Sequence, residues 1–294
     1  MVKNPWHLSP KKSGLINSKK KGNWQVKKSI DNDSKNPSHR KYFHCYATAN
    51  DSFFYFKDLR NLKRIKNLDP GVDQVFLFLA ISDVRKSNPL DRLFVKMAKA
   101  MFKDHPIITL VEIFHKPNIG RDFSSYQMLL DKVRPMASAN DYILFQNRSG
   151  CGPFRTEWYQ KFVTQFEKPA NVAICGSTIN FFDHPSRSLK DDLPHIQTYS
   201  FMSTLFFMNM LGAGFPGAKE TDRCEIITKG EIGLSQFFLE RGYKITCIEW
   251  PDLAICNQSQ SPHTIDVRKS VTANHCFYHR KYSKTKLLLR NLTS

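Results

Sequence analysis

The chain has no apolar run of about 18 residues or more, the length a membrane-spanning helix needs. The longest apolar-rich stretch, Phe201 to Phe215, is interrupted by Ser203, Thr204, Asn209, Gly212 and Gly214. The first residues lack the apolar core of a secretory signal, so a cytoplasmic protein is expected. Paired cysteine motifs are missing too. The seven cysteines are odd in number and no two have C-x-x-C spacing, which argues against a zinc site and a disulfide framework. Cys45, Cys175 and Cys247 fall inside apolar runs, where a reduced thiol packs as a small hydrophobe. A reducing compartment follows.

Acidic residues are also scarce. There are 26 Asp and Glu against 44 Lys and Arg, a net charge of +18. Residues 1–41 carry eleven Lys or Arg and two Asp, a net of +9, so half the excess sits in one short segment. That segment has almost no apolar periodicity and reads as a disordered basic tail. It suits a solvated tail without a partner, attachment to an anionic membrane surface, or contact with nucleic acid. The 23 Phe lie in core-like apolar runs and do not alternate with Lys or Arg as a base-stacking platform would. Nucleic acid is therefore the weaker partner.

Beyond the tail, strand-like and helix-like patterns alternate. Lys41 to Thr48, Gln74 to Ile81, Ile107 to Phe114, Tyr142 to Gln146 and Val172 to Gly176 read as strands. Asp51 to Asn67, Leu90 to Phe102, Phe123 to Val133 and Thr156 to Phe166 read as helices. In the second helix Leu90, Leu93, Phe94, Met97 and Met101 are expected on one face. Continuous apolar strands between amphipathic helices imply a mainly parallel α/β sheet covered on both faces. From Asn180 the rhythm breaks. A polar loop, an aromatic and Met-rich segment from His195 to Met210, and a glycine-rich loop lead to a helix at Glu231 to Arg241, which Gly242 ends. Lys244 to Glu249 is the last strand. The expected division is a tail over 1–41, one domain over 42–260 with an acceptor-side subregion in its second half, and a basic C-terminal extension with a helix over 261–294.

His115-Lys116-Pro117-Asn118-Ile119-Gly120-Arg121-Asp122 is the most informative stretch. It joins the third strand to the third helix, at the carboxyl end of a strand, where open α/β sheets bind ligands. It gathers a polar Asn, a permissive Gly, a cation and a carboxylate. Those groups suit a ligand carrying phosphate and sugar hydroxyls. His275 and His279 have the spacing of a paired metal site on a helix, but no acidic partner accompanies them, and they read as structural or surface residues.

The order of these pieces resembles glycosyltransferases of the GT-A (Rossmann-like) fold and, more narrowly, the rhamnan synthesis protein F family. The matching stretches are Asn118 to Asp122, Tyr142 to Pro153, Leu193 to Tyr199, and Glu231 to Ser235. The resemblance implies transfer of a sugar, rhamnose or another deoxyhexose among the candidates, from a nucleoside-diphosphate donor to a glycan or glycolipid. It places Asn118, Gly120, Arg121, Asp122, Asn147 and Arg148 at the donor nucleotide, and His195, Gln197 and Tyr199 at the acceptor or sugar. It makes Glu231 the general base, with Asp122 as a second catalytic residue and Asp222 and Glu225 as fallback candidates. Many such enzymes hold Mg2+ or Mn2+ with an Asp-x-Asp motif. Here the corresponding loop reads Gln146-Asn147-Arg148-Ser149 and has no carboxylate. No metal ligand is therefore assigned, and Arg148 is the expected substitute cation. Two other readings stay open: a non-catalytic glycan-binding relative, and a basic nucleic-acid-binding protein.

Overall fold

The computed structural model describes residues 40–182, 192–212, 214–256 and 275–280. The expected basic tail, save its last two residues, lies outside the described residues, as does most of the expected C-terminal extension with its helix.

The first half alternates as its sequence implies. In order come β1 (Tyr42–Ala49), a 3-10 turn (Ser52–Phe54), α1 (Tyr55–Asn67), β2 (Val75–Asp83), α2 (Pro89–Phe102), β3 (Ile108–Pro117), α3 (Arg121–Val133) and β4 (Tyr142–Asn147). The second half is more broken. It runs through β5 (Gly150–Cys151), α4 (Trp158–Glu167), β6 (Val172–Gly176), β7 (Ile179–Phe182), β8 (Asp192–Ile196), β9 (Ser200–Thr204) and α5 (Leu205–Met210). Then α6 (Arg223–Glu225) passes through a π-helical segment (Ile226–Ile232) into α7 (Gly233–Leu239). Short strands β10 (Lys244–Cys247), β11 (Ala254–Ile255) and β12 (Tyr278–His279) complete it.

Eight strands form one sheet in the order β11-β10-β6-β9-β4-β1-β2-β3. The pairs β1–β2, β1–β4, β2–β3 and β6–β10 are parallel. Strand β9 runs antiparallel between β4 and β6, and β11 is antiparallel to β10. This is the mainly parallel, helix-covered sheet expected. Period-2 alternation divides each central strand between two cores. Phe43, Cys45, Ala47, Ile143 and Phe145 meet Tyr126, Leu129 and Leu130 of α3 and Leu234 and Phe238 of α7 on one face. Tyr46, Leu77, Leu79 and Leu144 meet Leu62 of α1, Phe94 of α2 and Trp158 and Phe162 of α4 on the other. Each such large apolar side chain contributes about 1.5–3 kcal/mol by leaving water.

Strand order fixes where a ligand can enter. The chain leaves β1 toward β2 and β3 on one side and returns to β4 on the other. Loops therefore diverge at the carboxyl ends of β1 and β4, the topological switch point of the sheet.

Three expectations change. The buried residues of α2 are Asp91, Phe94, Ala98 and Phe102, whereas Leu90, Leu93 and Met97 are exposed. Asp91 turns the helix: it caps the backbone at Asn88, accepts from the Tyr55 hydroxyl at 2.6 Å and pairs with Arg85 at 2.6 Å. Strand β3 extends through Pro117, so the corner is only Asn118 to Gly120. Residues 275–280, expected in a separate extension, belong to the domain, because Tyr278 and His279 pair with Cys151 and Gly150. Among the described residues no helix is long and apolar enough to cross a membrane.

Candidate functional site

At the switch point lies a cleft of about 550 Å3. Arg121, Asp122 and Phe123 from the start of α3 line it, with Asn147 and Ser149 after β4 and Gln197, Thr198 and Tyr199 before β9. Arg223, Ile226, Ile227 and Glu231 enter from the α6–α7 run, and His279 and Arg280 from the C-terminal segment.

The corner after β3 is tightly built. Gly120 and Arg121 both adopt left-handed backbone, with φ of 63° and 47°. A Cβ on Gly120 would lie 1.9 Å from the carbonyl oxygen of Ala218, so only glycine fits beneath that loop. The Gly120 N–H donates to the Glu220 carbonyl at 3.0 Å. Arg121 has a Cβ and still holds a left-handed φ, a strain that persists only where surrounding structure enforces it. Its exposed side chain stands in the cleft. Below the corner, buried Lys116 donates from Nζ to the carbonyls of Pro117 at 2.7 Å and Ile119 at 3.3 Å, and to Ser82 Oγ at 3.1 Å. Burial lowers its pKa to about 8 against the pull of Asp122 and Asp83. Asn118 is exposed at the corner and does not line the cleft.

Asp122 is half-buried and accepts from Asn147 Nδ2 at 2.8 Å. Burial raises its pKa, opposed by that hydrogen bond and by the charges of Arg148, Lys116 and Arg121. Asn147 Oδ1 accepts from the Ser149 N–H at 2.8 Å. Arg148 faces elsewhere. Its Nη2 lies 2.7 Å from Oδ2 of fully buried Asp58, and it also donates to Thr48 Oγ1 at 3.1 Å and the Ala49 carbonyl at 2.6 Å. This guanidinium is absent from the cleft lining, and its charge is met by Asp58.

Glu231 is the opposing carboxylate. Its pKa is raised to about 7, first by burial and further by the like charge of Asp122, while the Thr198 hydroxyl at 3.5 Å opposes the shift. Such a carboxyl changes protonation near neutral pH, the range that suits a general base. It does not head a helix, as its sequence suggests. Asp222 caps the run nine positions earlier, accepting from the N–H groups of Cys224 and Glu225 at 2.8 and 3.0 Å. Glu231 then falls within the π-helical segment, a form frequent at functional sites. At Gly230 the Phe123 ring packs where a Cβ would be. Of the two fallback acids, Asp222 serves as the cap and Glu225 pairs with Lys229 at 2.9 Å; neither lines the cleft.

His195 stands behind Glu231. It is buried, its Nδ1 lies 2.7 Å from the Leu193 carbonyl, and its Nε2 is 3.9 Å from Glu231 Oε1. It supports the carboxylate's surroundings and does not line the cleft, whereas Gln197 and Tyr199 do. Arg223, Thr198, His279 and Arg280 were missed by sequence reasoning. Arg223 could have been found from the Asp222 capping position; nothing local marks the other three.

Mg2+ or Mn2+, which the GT-A resemblance implies, would be held by hard carboxylate oxygens. The loop after β4 brings no carboxylate, and both polar atoms of the Asn147 amide are used within the protein. Gln146 is buried against His44 and the Gly150 carbonyl. Among the described residues no three of His, Cys, Asp or Glu are grouped as a metal site.

No protein-family model matches the chain, and no curated protein matches it. Solved structures with a similar backbone include mannosyltransferase PcManGT of Pyrobaculum calidifontis in complex with GDP-Man and Mn2+. It is 12% identical with a TM-score of 0.43, over 72% of this chain and 56% of that one. Residues 1–349 of Staphylococcus aureus TarS in complex with UDP are 12% identical with a TM-score of 0.43, over 70% and 57%. A 4-diphosphocytidyl-2C-methyl-D-erythritol synthase is 11% identical with a TM-score of 0.41, over 85% and 98%. The chain thus spans a little over half the length of the first two. One α/β fold hosts many reactions, so the activity is argued from the cleft.

Proposed function

We propose that the protein is a glycosyltransferase of the Leloir type, moving a sugar from a nucleoside-diphosphate donor to a hydroxyl of a glycan or glycolipid. The observation that carries this reading is Glu231: a carboxyl with a pKa raised to about 7, opening on the same cleft as Asp122 and several arginines. Glu231 takes the proton of the acceptor hydroxyl. That oxygen bonds to the anomeric carbon from one side, and the bond from that carbon to the donor phosphate oxygen breaks on the other. The diphosphate leaves with the bonding electron pair, and the anomeric configuration inverts. Asp122, fixed by Asn147, accepts hydrogen bonds from hydroxyls of the donor and holds it for in-line attack. Gln197 and Tyr199, on the facing wall, contact the acceptor. The deoxyhexose and polysaccharide context rests on the sequence resemblance. The basic tail would hold the protein against an anionic membrane surface when the acceptor is a glycolipid.

The reading also accounts for the charge pattern. A nucleic-acid binder displays cations along a surface stripe. Here Arg121, Arg223 and Arg280 line one cleft together with the carboxylates of Asp122 and Glu231. A purely glycan-binding relative has no use for a carboxyl poised near neutrality.

Thermal-shift measurements against UDP-, GDP- and dTDP-sugars, followed by product analysis, test this function. At least one donor should stabilise the protein and be consumed, and Glu231→Gln should lower kcat by about 100- to 10 000-fold with donor affinity retained. Wild-type turnover should rise with pH through a limb near 7, the range in which Glu231 becomes the free base. Absence of any nucleotide binding at millimolar concentration would remove the reading.

A further inference from the structure

We infer that the solvent face of α1 and α2 docks on an anionic lipid membrane, at the edge of the sheet where the cleft opens. The inference stands without the transferase reading, which enters only as a use for the contact.

The two helices lie over one face of the sheet. Leu62 and Ile65 of α1 share a core with Phe94 and Ala98 of α2, and the Tyr55 ring stacks on Phe94 with centroids 4.4 Å apart. That contact lies near their amino ends, which follow the carboxyl ends of β1 and β2. The same ends carry large apolar side chains that no core covers. Phe53 is 74% exposed, and Phe56, Leu90 and Leu93 are about half exposed. Phe53 and Phe56 are three apart and continue into Arg60 and Lys63 at helical spacing, while Leu90, Leu93 and Met97 repeat at i, i+3 and i+7. Each helix therefore turns a second apolar stripe to solvent, opposite the one in the core. Exposed apolar side chains grouped in this way and rimmed by charge mark an interaction surface.

Charge selects the partner. Five Lys or Arg lie on α1 and three on α2, against one Asp on each. Both acids are buried and committed to cations from outside the two helices, Asp58 to Arg148 at 2.7 Å and Asp91 to Arg85 at 2.6 Å. Arg60, Lys63, Arg92, Lys96 and Lys99 are exposed, and among the described residues no carboxylate pairs with them. Of the flanking acids, Asp69 and Asp104 lie beyond the carboxyl ends of the helices, and Asp83, at the apolar end, pairs with His115 at 2.8 Å. A second copy of this face would set cations against cations, and residues 1–41, with a net of +9, match it in sign. A nucleic acid would offset the charge and leave Leu90, Leu93 and Met97 against a polar backbone. An anionic bilayer satisfies both features. Its phosphates meet the Lys and Arg heads, and the Phe and Leu side chains enter the boundary between headgroups and acyl chains. A membrane held there would present a lipid-linked acceptor to the edge on which the cleft opens.

The test is flotation of the full chain with vesicles of phosphatidylcholine, with and without phosphatidylglycerol, at physiological ionic strength. Wild type should float with the anionic vesicles and release them as salt rises. Arg60→Glu with Lys96→Glu should weaken binding about tenfold or more. Lys132→Glu with Arg241→Glu changes net charge equally on the opposite side of the sheet and should bind nearly as wild type does. Phe53→Gln, Phe56→Gln and Leu93→Gln together keep every charge and should also weaken binding about tenfold or more. All these side chains are at least partly exposed, and melting temperatures read alongside confirm that each variant is folded. The inference is overturned if wild type floats no better with anionic than with neutral vesicles, if the two charge reversals weaken binding equally, or if the apolar variant binds as wild type does. A dimer in sedimentation velocity that the apolar variant abolishes would show a second copy on this face and overturn it too. The two ideas fail separately. Vesicle binding through this face without consumption of any nucleotide sugar supports the docking surface and defeats the transferase. Sugar transfer to a soluble acceptor by a protein that ignores vesicles does the reverse.

Discussion

Asn147 Nδ2 donates to Asp122 Oδ2 at 2.8 Å, tying the carboxyl end of β4 to the first turn of α3. This bond joins the two segments that open the cleft, so charge and position at Asp122 can be separated. Asp122→Asn keeps an acceptor for Asn147 and removes the charge. It should fold with near wild-type stability and lose about 100-fold in kcat, as loss of a charged group at a reacting centre does. Asn147→Asp sets two carboxylates against each other and should lower both stability and donor affinity. Steady-state kinetics beside thermal melts distinguish the two effects.

The Arg148–Asp58 pair makes a prediction about stability. Asp58 has no exposed surface, and its carboxylate also accepts from the Tyr46 hydroxyl at 2.9 Å. Removing one partner strands a buried charge, at a cost of about 3–5 kcal/mol. Arg148→Ala should therefore shift the denaturant midpoint strongly. Whatever enzyme remains folded should bind pyrophosphate as wild type does. A selective loss of pyrophosphate affinity would instead place this guanidinium in the donor site.

Glu231 predicts an unusual pH dependence. Its folded pKa is about 7 against an ordinary value of 4.5. Between those values the native state holds a proton that the unfolded chain has released. Stability from this group therefore falls as pH rises from about 4.5 to 7, by about 1.4 kcal/mol for each pH unit crossed, and stays low above. Glu231→Gln should abolish the slope. The variant should melt higher than wild type at pH 8 and near it at pH 4, measured by calorimetry across the range.

Gly120 predicts a steric effect at the corner. Gly120→Ala forces a Cβ to within 1.9 Å of a backbone oxygen at a left-handed φ. Gly242 has a similar φ of 78° with nothing within 4 Å. Gly242→Ala should cost about 1–2 kcal/mol from the backbone conformation alone. Gly120→Ala should cost clearly more and weaken ligand binding, because the loop carrying Ala218 must move. Equal costs in equilibrium unfolding would mean that the loop yields freely.

Much of the fold was legible because its signals are local. Continuous apolar runs of strand length, helical spacing between them, and Pro or Gly at the breaks specify alternating strands and helices without long-range information. The corner at Gly120, Arg121 and Asp122 was legible for the same reason, since a strand-to-helix turn declares itself within a few residues. The α2 face was misread because Asp91 is turned inward by Tyr55 and Arg85, which no periodicity encodes.

By itself the sequence determined most of the alternating strands and helices before residue 180, the mainly parallel sheet, and a polar corner at the carboxyl end of the third strand. The tertiary structure decided which charges face the ligand. It withdrew Arg148 into a pair with Asp58, set Glu231 in a helical run that begins at Asp222 and not at its own position, and placed Arg280 on the same cleft as Arg121. The physical reason is range. Secondary structure follows from neighbours along the chain, whereas the protonation and partners of a buried charge depend on groups that only folding brings within a few ångströms.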